Sequence, residues 1–267
     1  MRNKKLFSIL VLSAAVYAES SDSHKEQQCS EEHNKIIAQY LDVSTEELSH
    51  RTLDFACKLD PNNKTETLVS YAVVEAKYTK ENYGNDQNNT PKWEFLVARL
   101  NNQEILQSWK AEQEIDAAVD VSVGSLKIDT ARYILNKNVR AFGVRFNNAT
   151  RGPSAPEYSS NDNLMLFIAE NNALKLIFDY PMQTWHIVDS EEAKTESAEI
   201  VLEMDTKNQT NGFNDIILKA DITQRVWSKG VYMVDSELKS ETNHQEKLRL
   251  KYKDNYYRPE KKVDWLY

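Results

Sequence analysis

The sequence predicts a mainly β protein built on antiparallel sheet, with a short helical segment near its N-terminal end. Three observations carry that expectation. From Thr65 onward the segments are short, alternate with the period of a strand and are rich in Val, Ile, Tyr, Phe and Trp. Each is bounded by Asn, Gly, Pro or Asp, with no long helical pattern between them. Helical spacing is confined to the stretch just before, where Ser30 and Ser44 stand at N-cap positions. Such a pattern indicates an all-β domain and leaves sandwich, barrel and propeller unresolved.

The chain opens with the three parts of a secretory signal. Arg2, Lys4 and Lys5 form a positive end, residues 6–16 an uncharged apolar run, and Val16-Tyr17-Ala18 a cleavage site before Glu19. The run is about half the length of roughly 20 apolar residues that a membrane-spanning helix needs. Residues 1–18 are therefore read as a signal peptide and the protein as periplasmic or secreted. Residues 19–28 are polar and charged and are expected to form a disordered leader.

Residues 29–60 read as a helical segment. Ile36, Ile37, Tyr40 and Leu41 share one face after Ser30, and Ser44 with Glu47 has capping-box spacing ahead of Leu48. Cys29 and Cys57 are the only cysteines. In an oxidising compartment they are expected to form one disulfide that ties this segment to the main domain.

Residues 61–267 read as the all-β domain. Strands are expected at 67–78, 92–100, 103–109, 125–133 and 139–146, then at 164–169, 173–180 and 185–188. The last are 198–204, 214–223 and 247–256. Asn101-Asn102 and Asn171-Asn172 are expected as two-residue hairpin turns, since Asn tolerates positive φ. With only 6 glycines in the chain, asparagine takes over many turns. The loop 147–163, with Gly152, Pro153 and Pro156, is long enough to carry function. In residues 247–253 (KLRLKYK), Leu248, Leu250 and Tyr252 fall on one face and the cations on the other. Val263, Trp265 and Tyr267 alternate like the last strand of an outer-membrane barrel, although the cation row breaks the lipid-facing pattern such a barrel needs.

Two resemblances follow from particular residues. Asn211-Gly212-Phe213-Asn214-Asp215, leading into Ile216-Ile217-Leu218, resembles the end of an FG-GAP repeat. Lys207 and Gln209 stand where that repeat's early calcium ligands would be, so the resemblance implies the strand and not the metal site. Residues 128–146 (IDTARYILNKNVRAFGVRF), continuing to Tyr180, are similar to a group of exported bacterial proteins without an assigned function. That resemblance implies an envelope address and a β-rich fold.

No GxSxG, HExxH or glycine-rich phosphate loop is present. Of the five histidines, only His186 lies in an expected strand, with Asp189 three residues on and on the opposite face. His24, His33, His50 and His244 lie in the leader, the helical segment or a charged turn. Asp179, Asp189, Glu191 and Glu192 are available to a carboxylate-pair hydrolase, though their spacing selects no pair. Trp93, Trp109, Trp185 and Trp227 lie in or beside strands. They are expected in the core unless two share an exposed face as a sugar platform.

No catalytic, metal-binding or cofactor residue is therefore assigned. The chain has 33 Lys+Arg against 41 Asp+Glu, a net charge of −8, which becomes −11 once the signal and its three basic residues are removed. That balance disfavours nucleic acid and favours a basic envelope protein as partner. The expectation is an exported envelope protein acting as a non-catalytic binding or inhibitor module with an acidic surface. An outer-membrane or structural component and a cell-wall or carbohydrate hydrolase are the alternatives.

Overall fold

The structure, a computed structural model, describes residues 29–83, 91–115, 119–150, 156–231 and 235–266. The signal peptide and leader expected over residues 1–28 lie outside these residues. The protein is mainly β, with two antiparallel sheets and two short helices.

Helix α1 (Glu31–Tyr40) begins at Ser30, whose Oγ accepts the His33 N–H at 3.2 Å. His33 Nδ1 accepts the Ser30 N–H at 3.3 Å, so histidine fills the role usually taken by Glu or Gln in a capping box. Helix α2 (Thr45–Arg51) is capped by Ser44, whose Oγ accepts from Glu47 N–H. The Glu47 carboxylate binds Arg51 at 2.9 Å.

The expected helical segment 29–60 ends early, because residues 52–59 form strand β1 (Thr52–Leu59). These residues pair along β2 (Thr67–Val74), every residue of which is buried, so the ladder and the apolar contact favour strand over a third helical turn. Strands β3 (Lys92–Leu100) and β4 (Ile105–Glu114) complete a four-stranded meander. The turn at Asn101 is longer than the two residues expected. Asn101 Oδ1 accepts the N–H groups of Gln103 and Glu104, which shapes a four-residue loop.

Cys29 and Cys57 stand at disulfide distance, with their Cα atoms 5.0 Å apart, and join the start of α1 to β1. Ile37 and Leu48 of the helices pack on Val69, Tyr71 and Leu96 of this sheet. Its other face, with Leu68, Val74, Phe95 and Val97, packs on the second sheet through Ile128, Val144 and Phe167.

The second sheet is an eight-stranded meander: β5 (Leu126–Ile134), β6 (Arg140–Phe146), β7 (Tyr158–Glu170), β8 (Ala173–Asp189), β9 (Lys194–Thr210), β10 (Phe213–Trp227), β11 (Leu238–Lys253) and β12 (Tyr256–Pro259). Two expected strands, 173–180 and 185–188, are one continuous β8. The β8–β9 ladder starts only at Gln183, so Pro181, which has no N–H to give, lies where β8 parts from β9. Turns follow side-chain chemistry. Asn171 (φ 54°) makes the expected β7–β8 turn, while Asn211 (φ 51°) with Gly212 (φ 83°) and Asp254 (φ 50°) with Asn255 (φ 66°) close β9–β10 and β11–β12.

The sheet curls so that its own strands enclose a second core. Leu164, Leu166 and Tyr180 meet Leu218, Leu250 and Tyr257 across it. The Tyr180 hydroxyl donates to Tyr257 O at 3.1 Å, and Asn214 N–H donates to Leu135 O at 2.6 Å. The curl is not a closed barrel, since β5 and β12 are the two ends of the sheet and form no ladder. Instead of a last barrel strand, residues Asp264–Leu266 form a 3-10 turn that inserts Trp265 and Leu266 into this core. Thr184 Oγ1 donates to Trp265 O at 2.7 Å, and Trp265 Nε1 donates to Glu246 at 2.8 Å. Among the described residues, no helix is long and apolar enough to cross a membrane.

Candidate functional site

The first half of β7 outruns its neighbour. Strand β6 pairs with β7 only over Asn163 to Phe167, leaving Tyr158 to Asn161 paired with β8 alone. The chain leaving β6 folds back over that gap. Asn148 N–H donates to Asn161 Oδ1 at 2.8 Å, and Asn148 Oδ1 accepts from Asp120 N–H at 3.0 Å. Between this crossing and the sheet lies a groove of about 690 Å³. Part of the expected functional loop 147–163 is thus strand, and Asn148, Thr150 and Pro156 form the groove wall. Residues 151–155 lie outside the described residues.

Register decides which side chains reach the groove floor. Ser159, Trp185 and Ser197 stand opposite one another on β7, β8 and β9, and Asn161, Gln183 and Glu199 make the next such row. Alternate residues of a strand share a face, so both rows project to the same side. Phe146 adds a second ring to the groove, and Tyr158 borders it from a position opposite His186, on the other face of the sheet from Trp185. Burial pushes the Tyr158 hydroxyl above the ordinary tyrosine value, more than the Ser160 hydrogen bond lowers it, so it remains a proton donor at neutral pH. The groove therefore combines ring faces with amides and hydroxyls. Glu199 is the one carboxylate among the described lining residues. Rings that stack on apolar ligand faces, with planar amides and hydroxyls beside them, suit an uncharged polar ligand.

His186 lies on the other face of β8 from Trp185. Its cross-strand neighbour is Glu196, whose Oε1 is 4.0 Å from His186 Nε2, and Gln224 Nε2 donates to Glu196 Oε2 at 2.7 Å. His186 Nδ1 is buried without a hydrogen-bond partner among the described residues. The carboxylate nearest in sequence, Asp189, instead accepts the N–H groups of Glu191 and Glu192 in the β8–β9 turn. Glu191 and Glu192 are exposed there, and Asp179 lies at mid-strand opposite Met165, so the four acidic candidates are not brought together.

The tryptophans part company as well. Trp93 is in the inter-sheet core, Trp109 packs edge-on against Phe95, and Trp227 donates to Thr195 Oγ1. Only Trp185 of the four lines the groove, and the other aromatic lining residues, Phe146 and Tyr158, carry no motif that marks them in sequence. At the FG-GAP-like segment, Asn211 and Gly212 form the hairpin turn. The Asp215 carboxylate accepts from Thr210 Oγ1 at 2.7 Å and pairs with Arg249 at 3.1 Å. His33 caps α1, and His244 lies on the exposed length of β11.

Comparison with protein-family models, with curated proteins and with solved structures returns no match for this chain.

Proposed function

We propose that the protein is an exported binding module, without catalytic activity of its own, whose groove holds a neutral, hydroxyl-rich ligand such as a stretch of glycan. The observation that carries this reading is the placement of Trp185 between Ser159 and Ser197 and next to the row Asn161, Gln183 and Glu199, in a groove that Phe146 also lines. Sugars present C–H faces to rings and hydroxyls to amides, and that pairing of chemistries is what the groove offers. Hydrolysis lacks comparable support, because glycoside cleavage needs two carboxylates about the reacting bond and the described lining holds only Glu199. The signal-like N-terminus and the Cys29–Cys57 pair support export to an oxidising compartment.

The test is titration of the oxidised chain with neutral N-acetylglucosamine oligomers, followed by tryptophan fluorescence and calorimetry. Saturable binding that Trp185→Ala weakens by about tenfold, the loss of roughly 1.4 kcal/mol of stacking, supports the reading. Absence of binding, or binding indifferent to Trp185→Ala and Gln183→Ala, overturns it.

A further inference from the structure

Although the chain is acidic overall, the outer face of β9 to β12 is not. Register places Lys219 of β10 directly opposite Lys247 of β11, and Lys251 of β11 opposite Arg258 of β12. Like charges directly opposite each other destabilise a sheet, so two such pairs on neighbouring strands need a reason. Carboxylates answer only part of it. Lys219 pairs with Glu203, Lys251 with Glu260 at 2.6 Å, and Arg249 with Asp205 at 2.6 Å and Asp215 at 3.1 Å. Those acids are then committed. Lys207, Lys247 and Lys261 are exposed and have no carboxylate at ion-pair distance among the described residues.

These three ammoniums are not scattered. Together with Lys219 and Arg249 they line one recess of about 590 Å³ on that face, where five cations outnumber the three carboxylates of Glu203, Asp205 and Glu260. The guanidinium of Arg249 is held by two carboxylates, that of Asp205 in the lining and that of Asp215, only 2 % exposed, beneath it, so the recess has a fixed cationic floor under exposed ammonium arms. Burial on the inner face of β11 holds this arrangement in place, because Leu248 and Leu250 anchor the strand and force residues 247, 249 and 251 outward. Val201, 62 % exposed and opposite Lys219, gives the rim an apolar spot.

We propose that this recess is an anion site for a phosphate group, with Lys207, Lys247 and Lys261 as its ligands and Arg249 as its floor. Phosphate oxygens supply the acceptors that the three ammoniums lack, and a bound phosphate offsets the repulsion between Lys219 and Lys247. The chemistry is the same whether the phosphate belongs to a lipid headgroup or to a soluble phosphate ester. This recess shares no lining residue with the aromatic groove and does not depend on the reading given to it.

The oxidised chain is titrated with inorganic pyrophosphate at low salt, and is separately sedimented with phosphatidylcholine vesicles with and without phosphatidylglycerol. Saturable pyrophosphate binding is expected, weakened about tenfold or more by the double substitution Lys207→Glu and Lys247→Glu and unchanged by the distant Lys64→Glu. Both lysines are exposed, and an unchanged melting temperature checks that the double variant folds. Sedimentation with the anionic vesicles that pyrophosphate displaces assigns the phosphate to a headgroup. Pyrophosphate binding without sedimentation assigns it to a soluble ester. No saturable pyrophosphate binding, or binding that the double variant retains, overturns the proposal, as does vesicle binding that pyrophosphate cannot displace.

Discussion

The Asp54 carboxylate accepts the backbone N–H of Leu126 at 2.7 Å, across 72 residues of sequence and between the two sheets. Both residues are buried, and the strands around them otherwise meet through apolar side chains. The carboxyl oxygen satisfies a donor that would otherwise be orphaned where β5 begins. Asp54→Ala is expected to lower stability by about 2–3 kcal/mol, because it removes the bond and leaves the N–H buried and unpaired. Asp54→Asn, which keeps an acceptor oxygen, should cost less. Urea denaturation midpoints of the two variants check the order.

The Cys29–Cys57 pair closes a loop of 28 residues that contains both helices. Cys29→Ala is expected to lower the stability of the oxidised protein by about 3 kcal/mol, through the greater freedom of the unfolded chain. In the presence of a reducing agent the variant and the parent should melt together. A difference that persists after reduction would place the effect in packing around α1 instead.

His33 makes the cap of α1 sensitive to acid. Burial lowers its pKa below the ordinary 6.5, against a smaller opposing effect of Glu32. The folded protein then binds fewer protons here than the unfolded chain does. Its contribution is present above pH 6.5, falls as the pH drops through that value, and levels off below the folded pKa. Protonation also removes the lone pair on Nδ1 that accepts the Ser30 N–H. Protection of the first-turn amides of α1, relative to their intrinsic exchange rate at each pH, should fall as the pH is lowered through this range. In His33→Gln, which keeps the capping box without titrating, that loss of protection should be absent.

Two glycines separate steric from conformational cost. A Cβ at Gly143 would stand 2.9 Å from Leu164 Cδ1 and 3.1 Å from Asp129 Cβ, so Gly143→Ala is expected to destabilise by about 1–3 kcal/mol through overpacking. At Gly212 nothing lies within 4 Å of a Cβ, but φ is +83°. Gly212→Ala should cost about 1 kcal/mol through backbone strain alone. Gly212→Asn, which tolerates the left-handed region, should recover part of it, whereas Gly143→Asn should be worse than Gly143→Ala. Thermal melts of the four variants test the contrast.

Legibility from sequence followed the range of each interaction. Ser30 and Ser44 cap helices because the cap and its N–H partners lie three residues apart. The inward face of residues 247–253 was readable for the same reason, since alternation along one strand places Leu248, Leu250 and Tyr252 together. Strand β1 falls within the expected helical segment 29–60, because its pairing with β2, which lies beyond any local pattern, decides its conformation. The β9–β10 turn is set locally, since Asn211-Gly212 is a strong hairpin dipeptide and both residues take positive φ.

The sequence by itself determined the class of fold, the helix caps and the cysteine pair, since local periodicity, side-chain-to-backbone bonds and the count of thiols settle those without knowledge of partners. Only the tertiary structure decided which carboxylate faces His186, which ring reaches the groove, and where charge collects. Glu196 lies beside His186, Ser197 beside Trp185 and Lys247 beside Lys219 through strand register. Alternation tells a residue its side of a sheet but not its neighbour across it. Net charge likewise averages over faces, and the −8 that points to a basic partner contains a cationic recess on one of them. Cross-strand contacts are set by how two sheets and one curl bury their apolar faces together, and that is a property of the whole chain.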